Sequence, residues 1–385
     1  MSSPPRPETR PETAAAWLWT GVMGVALIGL AAASLRARGG ADPARARPGP
    51  PQPEGEGALS LSGSEARSVA AAEVHRGRAA STPAEIPASG WKDIGYRVFV
   101  EFNKDRVLSV AGGVTFYTLL SLVPAIAALV SCYGLFADAN VINEHVSAMQ
   151  GVLPSGAVEI VGEQIKRIAS KSNESLGLTF FTSLVLSVWS ANAAVKAIFD
   201  ALNIVYEEEE KRSFVMLNLR SLTFTVGALV FVILALTGVV VLPVVLTFVG
   251  FGENAWLLAQ LRWPAMLVVL LGGLSLLYRY GPSRERARWR WVGTGSVVAG
   301  VLWLVASILF SWYVAGFGNY NETYGSLGAV IGFMTWIWIS VTIVLLGAEI
   351  NAEMEHQTAR DTTTGPELPM GLRQARMADT LGAAT

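Results

Sequence analysis

Charge is scarce in this sequence. Only 15% of its 385 residues are Asp, Glu, Lys or Arg, where soluble domains carry about 25%, and hydrophobic residues fill the gap at 52%. Water is therefore the wrong solvent for most of the chain, in agreement with a mean hydropathy of +0.42. Cysteine is nearly missing: Cys132 stands alone inside an apolar run, which excludes a disulfide within the chain and a thiolate metal site. The three histidines, His75, His145 and His356, fall in a linker, a loop and a tail that the reading below places far apart, which argues against metal or triad chemistry. A basic excess is missing as well. The formal net charge of -1 does not suit a phosphate backbone, so nucleic acid is not an expected partner. No GxxxxGK[ST] sequence is present, which excludes ATP hydrolysis by that route. Neither a cofactor nor a metal is expected.

Long apolar runs are what the chain has instead. The uncharged run from Ala14 to Leu35 is long enough to cross about 30 Å of hydrocarbon. Arg36, Arg38, Arg45 and Arg47 follow it and, by the positive-inside rule, stay cytoplasmic. A retained anchor is the favoured reading. A cleaved signal peptide is the rival, since Arg6 and Arg10 precede the run and Ala31, Ala32 and Ala33 offer a small-residue cleavage site. Residues 36–90, rich in Pro, Gly, Ala, Ser, Arg and Glu, read as a disordered linker. From Trp91 to Val107 the spacing of Ile94, Val98, Phe99 and Phe102 predicts a short amphipathic helix on the membrane surface, with Lys92, Arg97, Lys104 and Arg106 facing anionic headgroups.

Six further apolar runs follow, at about 108–136, 176–200, 219–250, 256–279, 291–316 and 325–350, the third with a kink expected at Pro243. Loop charge orients them. Segment 280–290 carries Arg284, Arg286, Arg288 and Arg290 and goes inside, as does 201–218 with Lys211 and Arg212; 317–324, with Glu322 and no cation, goes outside. Segment 137–175 becomes an external loop with helical spacing at Val158, Val161, Ile165 and Ile168. The expected fold is an all-α polytopic membrane protein: a six-helix transmembrane bundle with both ends cytoplasmic, preceded by one extra N-terminal transmembrane anchor. Its parts are 1–35 with the anchor, the linker 36–90, the membrane domain 91–355 and a cytoplasmic tail 356–385.

Several stretches carry a family resemblance. The run Thr115 to Pro124 resembles the first-helix motif of the YihY/virulence factor BrkB family. Trp303 to Ser307 and Phe310 to Tyr313, then Tyr320, Asn321 and Tyr324 to Gly328, then Leu345 to Asn351, are similar to its last two helices and their joining turn. Ala201, Leu202, Asn203, Tyr206, Arg212 and Ser213, and Tyr278, Arg279, Tyr280 and Pro282, agree in order and spacing, so the likeness covers roughly 91–355. The resemblance implies a six-helix bacterial inner-membrane protein with cytoplasmic termini. It supplies no settled function: some members carried the label ribonuclease BN, now regarded as misassigned, others were linked to serum resistance, and lipid or envelope-precursor transport has been suggested.

Ionisable groups within apolar helices are the candidates for function, because a bilayer tolerates them only toward a protein interior or a wet cavity. Asn192, Lys196 and Asp200 share one helical face, with Asn203 close behind, and would line the cytoplasmic half of a substrate groove; alternatively Lys196 snorkels and pairs with Asp200. Glu349 and Asn351 close the last span, where the carboxylate would meet Lys196 or an arginine of 279–290, bind a cation, carry a proton, or serve structure alone. An external turn with Tyr320, Asn321, Glu322 and Tyr324 lines a mouth or caps two helices. Gly112, Gly113, Gly293 and Gly295 read as close-packing surfaces, and Glu207 to Glu210 as a solvated face.

These features favour a transporter or flippase-like protein for a lipid or other amphipathic envelope substrate. The alternative is a non-catalytic membrane scaffold of the cell envelope. Ribonuclease activity would need clustered carboxylates or histidines and a basic channel, and the sequence offers neither. Membrane lipids are the expected partners, with a homo-oligomer or envelope proteins left open.

Overall fold

The computed structural model describes residues 58–59, 63–136, 173–236, 255–316 and 326–384, all within a unit spanning Gly57–Thr385. Helix α1 (Gly63–Ala72) leads through two 3₁₀ turns, Val74–Arg76 and Pro83–Glu85, into α2 (Ala88–Lys104). Six long helices follow: α3 (Val107–Phe136), α4 (Asn173–Val205), α5 (Phe214–Leu236), α6 (Ala255–Tyr280), α7 (Trp289–Gly316) and α8 (Ser326–Gln357). A single turn, α9 (Arg376–Asp379), closes the chain. The strand pairing among the described residues, apart from an isolated bridge, is an antiparallel pair of two-residue strands, β1 (Ala58–Leu59) and β2 (Leu381–Gly382).

The apolar runs become the long helices because a continuous apolar stretch can satisfy its backbone in hydrocarbon only within itself. Four helices are long and apolar enough to cross a membrane, through Leu184–Val205, Phe214–Phe231, Trp289–Val314 and Val330–Gln357; α3 and α6 add shorter apolar stretches, Val107–Leu122 and Pro264–Tyr280. Val297, Val301, Leu304, Ile308 and Trp312 of α7 are exposed along its length, a surface suited to lipid tails and not to water. The 14–35 anchor, the kink at Pro243, the 137–172 part of the expected external loop and the turn bearing Tyr320, Asn321, Glu322 and Tyr324 lie outside the described residues.

Helix α8 is the hub. Its Trp338 indole donates to the Leu108 carbonyl of α3 at 2.8 Å, and Ser340 accepts from the Trp303 indole of α7 at 3.0 Å. The Tyr278 hydroxyl of α6 donates to the Val344 carbonyl at 2.7 Å. Where α7 crosses α8, the Asn351 amide accepts from the Gly295 N–H at 2.8 Å and donates to the Val292 carbonyl at 3.2 Å. That crossing is a contact of backbones: a Cβ on Gly295 would stand 2.1 Å from the Gly347 carbonyl oxygen. Of the four glycines expected to pack closely, Gly295 alone does so. Around Gly112, Gly113 and Gly293 a Cβ would meet nothing within 4 Å.

A polar cap covers one end of the bundle, built from the two segments that flank it. The reading of 36–90 as a disordered linker is overturned from Gly63 onward. Arg78, fully buried, donates to the carbonyls of Gly382 at 2.6 Å and Gln357 at 3.4 Å, and Thr358 donates to the Ala80 carbonyl at 2.7 Å. Low aromatic content misleads there because the segment orders itself through guanidinium–carbonyl bonds and not through an apolar core of its own. The tail folds the same way, with Arg373 donating to the carbonyls of Ala378 and Ala359 at 2.6 and 2.8 Å. His75 and His356 are therefore not far apart in the fold: Gln357 donates to the carbonyl of Arg76 at 2.8 Å.

Gly295→Ala is expected to lower the melting temperature in detergent, by the about 1–3 kcal/mol typical of overpacking, whereas Gly293→Ala leaves it unchanged. Thermal unfolding followed by tryptophan fluorescence separates the two.

Candidate functional site

The last turns of α8 bury three carboxylates. Glu349, Glu353 and Glu355 are each 0–1% exposed. Glu355 receives a fork from Arg284, at 2.9 and 2.6 Å, and a hydroxyl from Thr362 at 2.8 Å. The same guanidinium lies 4.3 Å from the centre of the Tyr206 ring. Glu353 accepts from Arg97 of α2 at 2.5 Å, and the Arg97 guanidinium also reaches Gln357 and the Ala383 carbonyl. Arg97 is thus an internal counter-ion, not the headgroup ligand expected of it. Glu349 has no such cation. Neither of its carboxyl oxygens has a hydrogen-bond partner, and its charged neighbours are Asp105, Glu353 and Glu101. The expected meeting with Lys196 or an arginine of 279–290 is replaced by an acidic neighbourhood at the α2–α3 elbow.

The elbow turns at Arg106, which takes a left-handed conformation (φ 51°) without being glycine. Asp105, beside it, is pushed up from 3.8 to about 7, first by burial and then by the charge of Glu101. Lys104 lies 2.8 Å from Glu101 and 3.3 Å from Glu207. Glu207 to Glu210 form a solvated face only in part: Glu209 and Glu210 are exposed, Glu207 is half-buried and Glu208 buried. Arg376 donates to Glu207 at 2.6 Å, Lys211 to Glu208 at 2.6 Å, and Arg212 to Glu210 at 2.7 Å. Burial would raise Glu210, but Arg212 holds it down to about 2. The arginines of 284–290 are likewise tied into the cap: Arg288 donates to the Thr363 carbonyl at 2.8 Å and Arg290 to that of Ser81 at 3.4 Å.

A second polar group sits on α4, inside an apolar span. Asn192 is buried and its carbonyl oxygen has no hydrogen-bond partner. One turn on, Lys196 donates to the Asn218 side chain of α5 at 2.5 Å, with the Phe214 ring 5.9 Å from its ammonium. Lys196 therefore reaches sideways to α5, and Asp200 is exposed. Asn203 and Asn351 serve the scaffold. Asn203 accepts from the Ser283 N–H at 2.7 Å and donates to Glu210 at 3.2 Å, joining the α4–α5 and α6–α7 connections, while Asn351 clamps α7. Among the described candidates the structure brings Asn192 and Lys196 together on α4, and sets Glu349 apart at the elbow.

Sequence reasoning missed Asp105, Asn218 and the two buried ion pairs. The signal for the first was present: Glu101 and Asp105 repeat at i, i+4, as do Glu349 and Glu353, two acidic pairs on helices that meet.

A helical bundle with four helices long and apolar enough to cross a membrane, and with buried ion pairs at one end, defines a multi-pass membrane protein. Residues 98–369 match the family model described as Virulence factor BrkB, and the chain belongs to that family. Among its relatives is YfkH of Bacillus subtilis, a protein named for a likeness to ribonuclease, 32% identical over 66% of this chain and 92% of its own length. UPF0761 membrane proteins of Rhodospirillum centenum and Aggregatibacter aphrophilus are 26% and 24% identical over 69% and 68% of this chain, and over 58% and 92% of their own lengths. No solved structure matches.

Two outcomes follow from the charges. Arg284→Ala leaves Glu355 buried without its cation and is expected to cost about 3–5 kcal/mol, while the joint replacement Arg284→Met with Glu355→Leu costs less, as read by melting temperature. Asp105 has a raised folded value, so its contribution to stability is full below its unfolded value of 3.8 and is lost as pH rises through about 7. Asp105→Asn should accordingly melt higher than the parent above about pH 7, with the gap closing on acidification.

Proposed function

We propose that this protein is a non-enzymatic transporter or flippase-like protein for a lipid or other amphipathic envelope substrate. In this reading α3 to α8 all cross the bacterial inner membrane, the polar cap is cytoplasmic, and the run from Ala14 to Leu35 adds an anchor. The observation that carries the proposal is the polar pair on α4: a buried Asn192 carbonyl oxygen without a partner one turn from the Lys196 ammonium, both within Leu184–Val205. A span that has only to fill a bilayer gains nothing from a cation and an open acceptor at that depth. A headgroup does: Lys196 offers charge to a phosphate, Asn192 accepts from a headgroup donor, and the acyl chains remain against the apolar surface.

The test is transbilayer movement of labelled phospholipid in liposomes holding the purified full-length protein, followed as access to an external quencher. Losing a charge-assisted hydrogen bond of about 1.5–3 kcal/mol slows the step about tenfold or more, so Lys196→Ala and Asn192→Leu should each slow it while melting as the parent does. Movement no faster than in empty liposomes, across several lipid classes, would remove the proposal.

A further inference from the structure

Glu349 is the one carboxylate of the α8 end for which the fold supplies neither a cation nor a hydrogen bond. It is 0% exposed and lies within an apolar span, where an isolated charge is not sustained. The charges that act on it most strongly all belong to carboxyl groups. From α2 comes Glu101, whose cation Lys104 is shared with Glu207; from the elbow comes Asp105; from α8 itself comes Glu353, already matched to Arg97 and lying 3.5 Å from His356. From beyond the end of α4 comes the Tyr206 phenol, fully buried, its hydroxyl also without a hydrogen-bond partner and within electrostatic reach of Glu349. Two buried polar side chains, Glu349 and the Tyr206 hydroxyl, thus lie within electrostatic reach of each other, and the charge that acts most strongly on Glu349 is that of the half-buried Asp105.

We propose that Asp105 and Glu349 form a proton-binding site in which the two carboxyls hold one proton between them at neutral pH. Two like charges brought together away from water retain a proton more cheaply than they repel. The occupant is a proton and not a metal ion, because no three His, Cys, Asp or Glu converge with ligand geometry among the described residues. Releasing the proton places two negative charges across the contact between α8 and the Arg106 elbow, a bend held in a left-handed conformation. The site therefore couples proton occupancy to the seating of α2 and α3 on α8. It does not depend on whether the protein moves lipid.

Infrared spectroscopy of the full-length protein in lipid nanodiscs, titrated from about pH 5 to about pH 9, reads the carboxylic-acid carbonyl band directly. The expected result is a band that persists at pH 7 in the parent and is absent from Glu349→Gln. In Asp105→Asn it should remain, with its midpoint displaced by about a unit or more. A folded parent with no such band at pH 7 overturns the site, and so does an unchanged band in Glu349→Gln. A band abolished by added sodium or magnesium overturns the proton as occupant. Should Glu349→Gln fail to fold, the parent titration and Asp105→Asn decide the matter. Because the band is read without lipid movement, its loss and a failure of the transport assay are separate outcomes.

Discussion

A carboxylate withdrawn from water has to find a cation or keep a proton, and the last turns of α8 set that condition three times within seven residues. The cap is the answer to two of them. Arg97 arrives on α2 and Arg284 on the link between α6 and α7, and each guanidinium, once committed, organises more than its own pair. Arg97 ties the tail down through Gln357 and the Ala383 carbonyl, and Arg284 lies over the Tyr206 ring at the end of α4. The segments before and after the bundle are ordered because these buried charges must be matched, and because Arg78 and Arg373 then satisfy the carbonyls that such a wrapping leaves without partners.

This division of labour explains what could be read from the sequence. The helices of the bundle were legible to different degrees: apolar runs at about 108–136 and 291–316 correspond to Val107–Phe136 and Trp289–Gly316, whereas the run at about 325–350 ends seven residues short of Gln357, where the buried glutamates continue the helix. The cap was not legible. Residues 63–90 have the composition of a linker, and their order comes from partners up to 304 residues away, as between Arg78 and Gly382. Composition cannot register contacts of that separation. The glutamates of 207–210 were legible only in part: Glu209 and Glu210 are exposed as a solvated face requires, whereas Glu207 and Glu208 are drawn in by Arg376, Lys104 and Lys211.

The candidate site shows the same limit from the other side. Spacing alone put Asn192 and Lys196 on one face, and the structure finds them one turn apart on α4. Spacing could not say that Lys196 would reach Asn218 on the neighbouring helix, or that Asn203 and Asn351, on equal terms by sequence, would be consumed by scaffold bonds. Polar residues in a membrane span fall into two kinds, those whose every group is answered by the protein and those left with a group to spare. Only geometry separates them.

The pairing of Ala58 and Leu59 with Leu381 and Gly382 carries a consequence for biogenesis. A strand near the start of this unit gains its partner only when the ribosome has made nearly all of what lies between. The bundle helices can enter the bilayer one after another, each sufficient to itself, but the cap must wait. Arg97 and Arg284 are matched as soon as α8 is made, but until the tail follows the β1 edge stays unpaired and Arg78 lacks the Gly382 carbonyl, so the last part of the molecule to mature is a polar one. Truncated translation products would be inserted yet unsealed, and a quality-control protease would meet them with the α8 end open.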